Sequence, residues 1–267
     1  MAFWGSNFIF DGMSCDSFEL MMYDFNDNGL SEDNEVSSVS IVEEVVGKQW
    51  RPYFYGTKHE NKLEFEIVFG VNQDRIDRGQ YLSRHEIDEV AAWIAGHDRY
   101  KWLEIEQEDM EHVRYRCIVT SLTIVEYGRI PWALKASITC DSKFAYTYPR
   151  EYSYDIDGSY TIHFMNESSM NSYYKPIILY HPVADGNLEI VNETDGNRIF
   201  KFTDLPASTG TLHVDNEHGV IIGDSGINLY PLFNFKFFRL KRGYNVLHVS
   251  GKGKLTFVCE FPVSVGG

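Results

Sequence analysis

One segment alternates with the period of a helix. Ile87, Val90, Ala91 and Ile94 recur at 3.6-residue spacing and form one apolar stripe. Ser83, with Glu86 three residues on, has the spacing of a capping box, and Gly96 is the natural stop. The pattern predicts one helix over 83–96, docked by its stripe onto the protein's own sheet. Most other ordered stretches alternate with period two, as half-buried strands do. Leu63, Phe65, Ile67 and Phe69 fall on one face of a strand over 63–69, opposite Glu64 and Glu66. The β-branched run from Arg114 to Tyr127 is long for a globular strand. Lys101 to Glu106 precedes it, across the polar tip Gln107 to His112, so these two predict a long hairpin. Trp132, Leu134, Ala136, Ile138 and Cys140 mark a further strand.

The pattern changes near Tyr148. Pro149 cannot donate to a strand ladder and interrupts the run. Short alternating segments follow at 160–166, 177–180, 187–192, 198–203, 210–215, 219–222, 237–240, 243–250 and 254–261. Asp-Gly pairs at 157–158, 185–186 and 195–196 read as turns between several of them, and Gly251 to Lys254 as a tight hairpin. Short, evenly spaced strands without a helix predict an antiparallel sandwich. The expectation is therefore a mainly β chain of two domains, 1–148 and 149–267, the second a β-sandwich.

Composition narrows the function classes. The 267 residues carry a net charge of −15. Residues 1–148 hold 14 basic and 26 acidic side chains, a net of −12. Nucleic acids and anionic membranes require a cationic surface, so adhesion to either is not expected. The four cysteines, Cys15, Cys117, Cys140 and Cys259, make no CxxC pair, which argues for buried thiols rather than a zinc site. The start lacks a basic n-region and an apolar run, and no stretch approaches the ~20 apolar residues of a membrane span. A soluble protein made in a cytoplasm is expected.

Candidate chemistry is sparse. Asp24, Asn26, Asn28, Gly29 and Glu35 fit the spacing of a Ca²⁺-binding EF-hand loop. The segment after it is Ser-rich and β-branched, a poor second helix, and Ser31 stands where an aliphatic residue is usual. A solvated acidic loop is the reading, with Ca²⁺ as a candidate only. His213, Asp215 and His218 are close in sequence, and the reading is a turn over 215–219 rather than a metal site. No G-x-S-x-G, P-loop, H-E-x-x-H or dinucleotide fingerprint is present. The carboxylate pairs Glu64/Glu66 and Glu104/Glu106 share strand faces, as a glycosidase pair would, but such spacing is common on a wet acidic strand. The second domain carries many aromatics, from Tyr152 and Tyr154 to Phe237 and Phe238, which suit a sandwich core or a sugar-stacking surface. No cofactor and no enzymatic activity are expected.

Several segments, in order, carry a resemblance. They are Phe3 to Gly12, the acidic loop 24–35, Leu-Glu-Phe-Glu-Ile-Val-Phe-Gly at 63–70 and the capped helix. Tyr-Lys-Trp-Leu at 100–103, Arg114 to Thr120, Gly128 to Tyr146 and Arg242 to Phe257 complete the series. Across nearly its whole length the chain resembles the distal tail proteins of long-tailed bacteriophages, the siphophages. The resemblance implies that the first domain is also a β-sandwich, tail-tube-like, with one flanking helix (83–96) and a projecting hairpin. It implies a galectin-like second domain, a virion location at the tail tip or baseplate, and synthesis in the host bacterial cytoplasm. It also implies a homo-hexameric hub ring around a channel that DNA crosses. Implied partners are the tail tube protein, a tail-associated hub or lysin protein, and receptor-binding, arm or baseplate proteins. Acidic residues suit the wall of such a channel, and the candidates are Asp27, Glu32, Asp33, Glu108, Asp109 and Glu111. A galectin-like carbohydrate-binding module is the alternative reading, and a glycan hydrolase using the paired carboxylates a third.

Overall fold

The computed structural model describes residues 5–23, 40–45, 47, 50–58, 62–108 and 110–265. The chain divides into two compact units, Met1–Tyr146 with Ser264–Gly267, and Thr147–Val263.

The first unit is built from strands β1 (Asn7–Phe10), β2 (Met13–Ser14), β3 (Leu20–Tyr23), β4 (Ser40–Glu44), β5 (Tyr53–Lys58) and β6 (Glu64–Val71). Helices α1 (Gln73–Asp77) and α2 (Arg84–Ile94) follow, then β7 (Lys101–Glu106), β8 (Val113–Tyr127), β9 (Ile130–Cys140) and β10 (Ala145–Thr147). The main sheet runs β2-β1-β7-β8-β9-β6-β3, all antiparallel. It curls until its ends meet: Met22 of β3 donates its N–H to the carbonyl of Ser6, just before β1, at 2.9 Å. Phe65, Ile67 and Phe69 fill the interior of that curl, as the alternation of β6 requires.

Helix α2 closes the curl. Both bonds of the capping box form: Ser83 Oγ accepts from Glu86 N–H and Glu86 accepts from Ser83 N–H. Val90 and Ile94 are buried, and Trp93 stacks between Phe8 and Phe18 at 5.6 and 4.8 Å. The Trp93 indole N–H donates to Phe10 O at 3.1 Å, so the ring is oriented as well as packed. Gly96, at φ 77°, ends the helix.

Two expectations for this unit are corrected. A second helix exists. α1 is only five residues long, too short for a periodic stripe, and is capped by Asn72 accepting from Arg75 N–H. The long hairpin joins β8 to β9, not β7 to β8. Register places only Lys101–Leu103 against Tyr115–Cys117, whereas β8 follows β9 from Cys117↔Cys140 out to Tyr127↔Ile130. The turn at Gly128–Arg129, both at positive φ, suits a two-residue hairpin connection.

The second unit contains β11 (Arg150–Asn166), β12 (Ile177–Pro182), β13 (Gly186–Asn192), β14 (Arg198–Leu205), β15 (Leu212–Asp215), β16 (Val220–Gly223) and β17 (Gly243–Cys259). β11 and β17 pair antiparallel over their full length. The far side of β17 changes partner midway: Leu247–Ser250 lies against β13 and Gly253–Val258 against β12. One strand thus belongs to two layers, β14-β13 and β12-β15-β16, a corner of the kind that lets a single sheet fold into a sandwich. A single core takes Phe200 and Phe202 from the first layer and Ile178, Leu212 and Val214 from the second.

That corner overturns the turn readings at 157–158 and 251–254. Gly158 and Gly251 stand opposite one another inside continuous strands. A Cβ at Gly253 would lie 2.3 Å from His181 O and 2.9 Å from Pro182 Cα. Gly251 and Gly253 admit close approach of neighbouring atoms where the sheet bends, and Gly158 supplies a positive φ of 92°; none of them reverses the chain. The expected strand at 237–240 is also absent. Its backbone groups are met by side chains: Asn216 accepts from Phe238 N–H, Arg198 donates to Phe237 O, and Asn192 donates to Arg239 O. One bridge, Tyr174↔Leu240, remains. The Asp-Gly pairs at 185–186 and 195–196 do lie at turns.

Candidate functional site

The sequence-derived candidates do not assemble into a reactive centre. The Ca²⁺ candidates Asp24, Asn26, Asn28 and Glu35 lie outside the described residues, as do Asp27, Glu32, Asp33 and Asp109. Glu108 and Glu111 are exposed on the turn between β7 and β8, whose backbone closes through Met110 N–H to Gln107 O and Val113 N–H to Met110 O. Asp215 receives the N–H groups of Glu217 and His218, both at 3.0 Å, and His218 Nδ1 lies 2.8 Å from its other oxygen. This is a capped turn, and His213 takes no part in those bonds. Among the described residues no group of three His, Cys, Asp or Glu side chains is placed to hold a metal.

One carboxylate of each expected pair is held by a neighbouring side chain. Glu66 forms an ion pair with Lys135 and accepts from Ser137 Oγ, and the lysine bond above all holds its carboxyl below the ordinary value. Glu106 accepts from Asn7 Nδ2 at 2.9 Å. The aromatics of the second unit mostly fill its core; Phe164, Phe257 and Phe238 form one continuous contact series. Phe235 differs. It is 67 % exposed, sits at φ 58° and lies over Tyr230 at 6.5 Å.

In the first unit, exposed apolar side chains gather on two hairpins. Among the described residues β4 and β5 pair only with each other, in a separate two-stranded sheet. Neighbouring residues of a strand face opposite ways, yet Ile41, Val42, Tyr53, Phe54 and Tyr55 are all exposed, Phe54 by 65 %. Trp50, between the strands, is 84 % exposed, and Arg51 caps its ring at 4.1 Å. An isolated two-stranded hairpin is marginal in water, and this one has apolar side chains on both faces. The second hairpin is the outer part of β8–β9. Beyond the bulge between Val119 and Ser121, Ile124, Tyr127 and Ile130 are exposed, Tyr127 by 83 %. Sequence reasoning missed the first of these hairpins. Its apolar residues do not alternate with polar ones, because neither face is a core face.

Comparison with known proteins decides the family. A family model described as the phage tail protein N-terminal domain matches residues 3–142. The chain belongs to this family of phage tail proteins. A second model, the phage tail C-terminal domain, matches residues 144–259. No curated protein sequence matches the chain. Among solved structures, the tail protein is similar to Dit (gp 19.1) of phage SPP1, described as a paradigm of the hub adsorption apparatus of phages infecting Gram-positive bacteria. The likeness covers 96 % of this chain and 98 % of that one, at TM-score 0.67 and 14 % identity, and shows a shared fold. A chain of the phage P2 baseplate, in its activated conformation with Ca, overlaps 90 % of each chain at TM-score 0.46 and 10 % identity. The tail protein is thus a structural component of a virion, mainly β. No helix among its described residues is long and apolar enough to cross a membrane.

Proposed function

We propose that this tail protein is the hub of the tail tip: a closed ring of copies, six by its resemblance to distal tail proteins. In this reading the first unit is tail-tube-like and makes the ring, joined on one side to the tail tube protein. The second unit is galectin-like and holds receptor-binding, arm or baseplate proteins. DNA passes through the central channel without being held, which the net charge of −12 on residues 1–148 favours. Any Ca²⁺ in the 24–35 loop and the lumen positions of Glu108 and Glu111 belong to the same proposal.

The observation that carries it is the pair of hairpins with uncovered apolar faces. A closed cyclic ring needs two different complementary patches on each subunit, and the hairpins, both in the first unit, provide candidates for them. Those strand edges that have no partner among the described residues add backbone pairing to apolar burial. Light scattering across protein concentrations tests this. The expected species has a mass near six times 30.9 kDa, and the double substitution Trp50→Ser with Phe54→Ser shifts it to single chains without changing the β circular-dichroism signal. A single-chain mass for the unmodified protein at every concentration, and also with isolated tail tubes present, contradicts it.

The carbohydrate-binding reading has one observation in its favour, the exposed Phe235 ring. Glycan-array binding by single chains that Phe235→Ala abolishes would support that alternative.

A further inference from the structure

All four cysteines are buried and free, and two of them face one another. Cys117 of β8 and Cys140 of β9 are direct cross-strand partners. Cys140 donates its N–H to Leu63 O, just before β6, at 2.8 Å, and Asp141 N–H donates to Arg116 O at 2.9 Å. The two backbone polar groups of a strand residue point to one side, so those of Cys140 point away from β8. The cysteines therefore form a non-hydrogen-bonded pair, the closer of the two antiparallel arrangements, with Cα atoms about 4.5 Å apart. Disulfides span Cα separations of roughly 4.4–6.8 Å, so the bridge requires no strand movement. Both side chains lie on the core face, between Tyr115 and Val119 on one strand and next to Ile138 on the other. The other two thiols have no such neighbour. Cys15 Sγ bonds Asn7 Oδ1 at 2.7 Å, and Cys259 stands opposite Arg150.

We propose that Cys117 and Cys140 form a reversible disulfide at the base of the β8–β9 hairpin once the protein leaves a reducing cytoplasm. The oxidant is a low-molecular-weight disulfide acting by exchange. One protein thiolate attacks it, giving a mixed disulfide and releasing one small thiolate. The second protein thiolate then displaces the other small thiolate. Two Cys S–H groups become one S–S bond, and the small disulfide takes up the two electrons and two protons as two thiols. A virion protein is made in one redox compartment and works in another, so the change follows release from the host.

The position gives the bond a purpose. It ties β8 to β9 just before the Val119/Ser121 bulge, beyond which the hairpin is exposed. Closing a loop of about two dozen residues limits fraying of the segment that carries Tyr127. Burial pushes the Cys140 thiol up to about 12 and the Cys117 thiol higher. Exchange in the folded protein is consequently slow and proceeds through local opening, which makes equilibrium the proper readout.

The full-length protein is unfolded, refolded to equilibrium in buffers of fixed reduced-to-oxidised glutathione ratio, acid-quenched, alkylated and mapped without reduction. Expected is loss of two of the four free thiols, with the cross-link joining the peptides of Cys117 and Cys140. Its population rises with the share of oxidised glutathione, and the oxidised form melts at a higher temperature than the reduced one. Cys140→Ala abolishes the cross-link, whereas Cys259→Ala leaves it intact. Four alkylated cysteines in the refolded unmodified protein at every ratio, or cross-links distributed over other cysteine pairs, overturn the proposal.

Discussion

Asp195 shows how single side chains hold the second unit. Burial by itself would raise its carboxyl, but hydrogen bonds from Arg239 and Tyr173 outweigh that and keep it below the ordinary value of 3.8. Arg239 Nε donates to one oxygen at 2.6 Å and Nη2 to the other at 3.3 Å, while the guanidinium stacks on Tyr173 at 3.6 Å. The pair fastens the 237–241 segment to the turn after β13. Arg239→Ala leaves a buried carboxylate without its main partner and is expected to cost about 3 kcal/mol, read by urea denaturation. The pH sign follows from the depressed folded value. The stability that Asp195 contributes is complete above its unfolded value of about 3.8 and is lost as pH falls through the lower folded value. Comparing the unmodified protein with Asp195→Asn over pH 2–6 (about the range of a carboxylate titration) should show the two stability curves converging at the acid end.

Among the elements, helix α2 and the β17 corner make the sharpest contrast. Ser83→Ala removes one cap bond of α2 and is expected to lower stability by about 1 kcal/mol, with a matching fall in the thermal midpoint. Gly253→Ala places a methyl group against backbone atoms of β12 and is expected to cost more than ~3 kcal/mol, or to leave the second unit unfolded by circular dichroism. Gly158→Ala meets no atom, but its φ of 92° should cost roughly 1–2 kcal/mol. The same contrast explains what the sequence discloses. A capping box is local: Ser83, Glu86 and the stripe at Val90 and Ile94 lie within one short window. β6 and β9 are legible because one face of each meets the core. Gly251 to Lys254 has the composition of a turn, and only Tyr180, His181 and Pro182, some seventy residues away in the chain, show why glycine is needed inside a strand. The 237–240 segment alternates like a strand, but Asn192 and Asn216 supply its hydrogen bonds from distant positions, and nothing local records that. α1 was too short to leave a period.

For the whole molecule, the family and the mainly β fold follow from order: capped helix between strands, then a change of pattern near Tyr148. The candidate site was far less legible. An apolar residue covered by another chain reads like an apolar residue covered by its own, so Trp50, Phe54 and Tyr127 carry no mark of exposure in the sequence. Their placement on hairpins of the first unit is what ring formation would explain. Class-averaged electron images of the purified protein, alone and docked on isolated tail tubes, test it most directly. Closed rings of six-fold symmetry with an open centre are expected. Isolated single particles in both samples, with no ring added at the tube end, would contradict it.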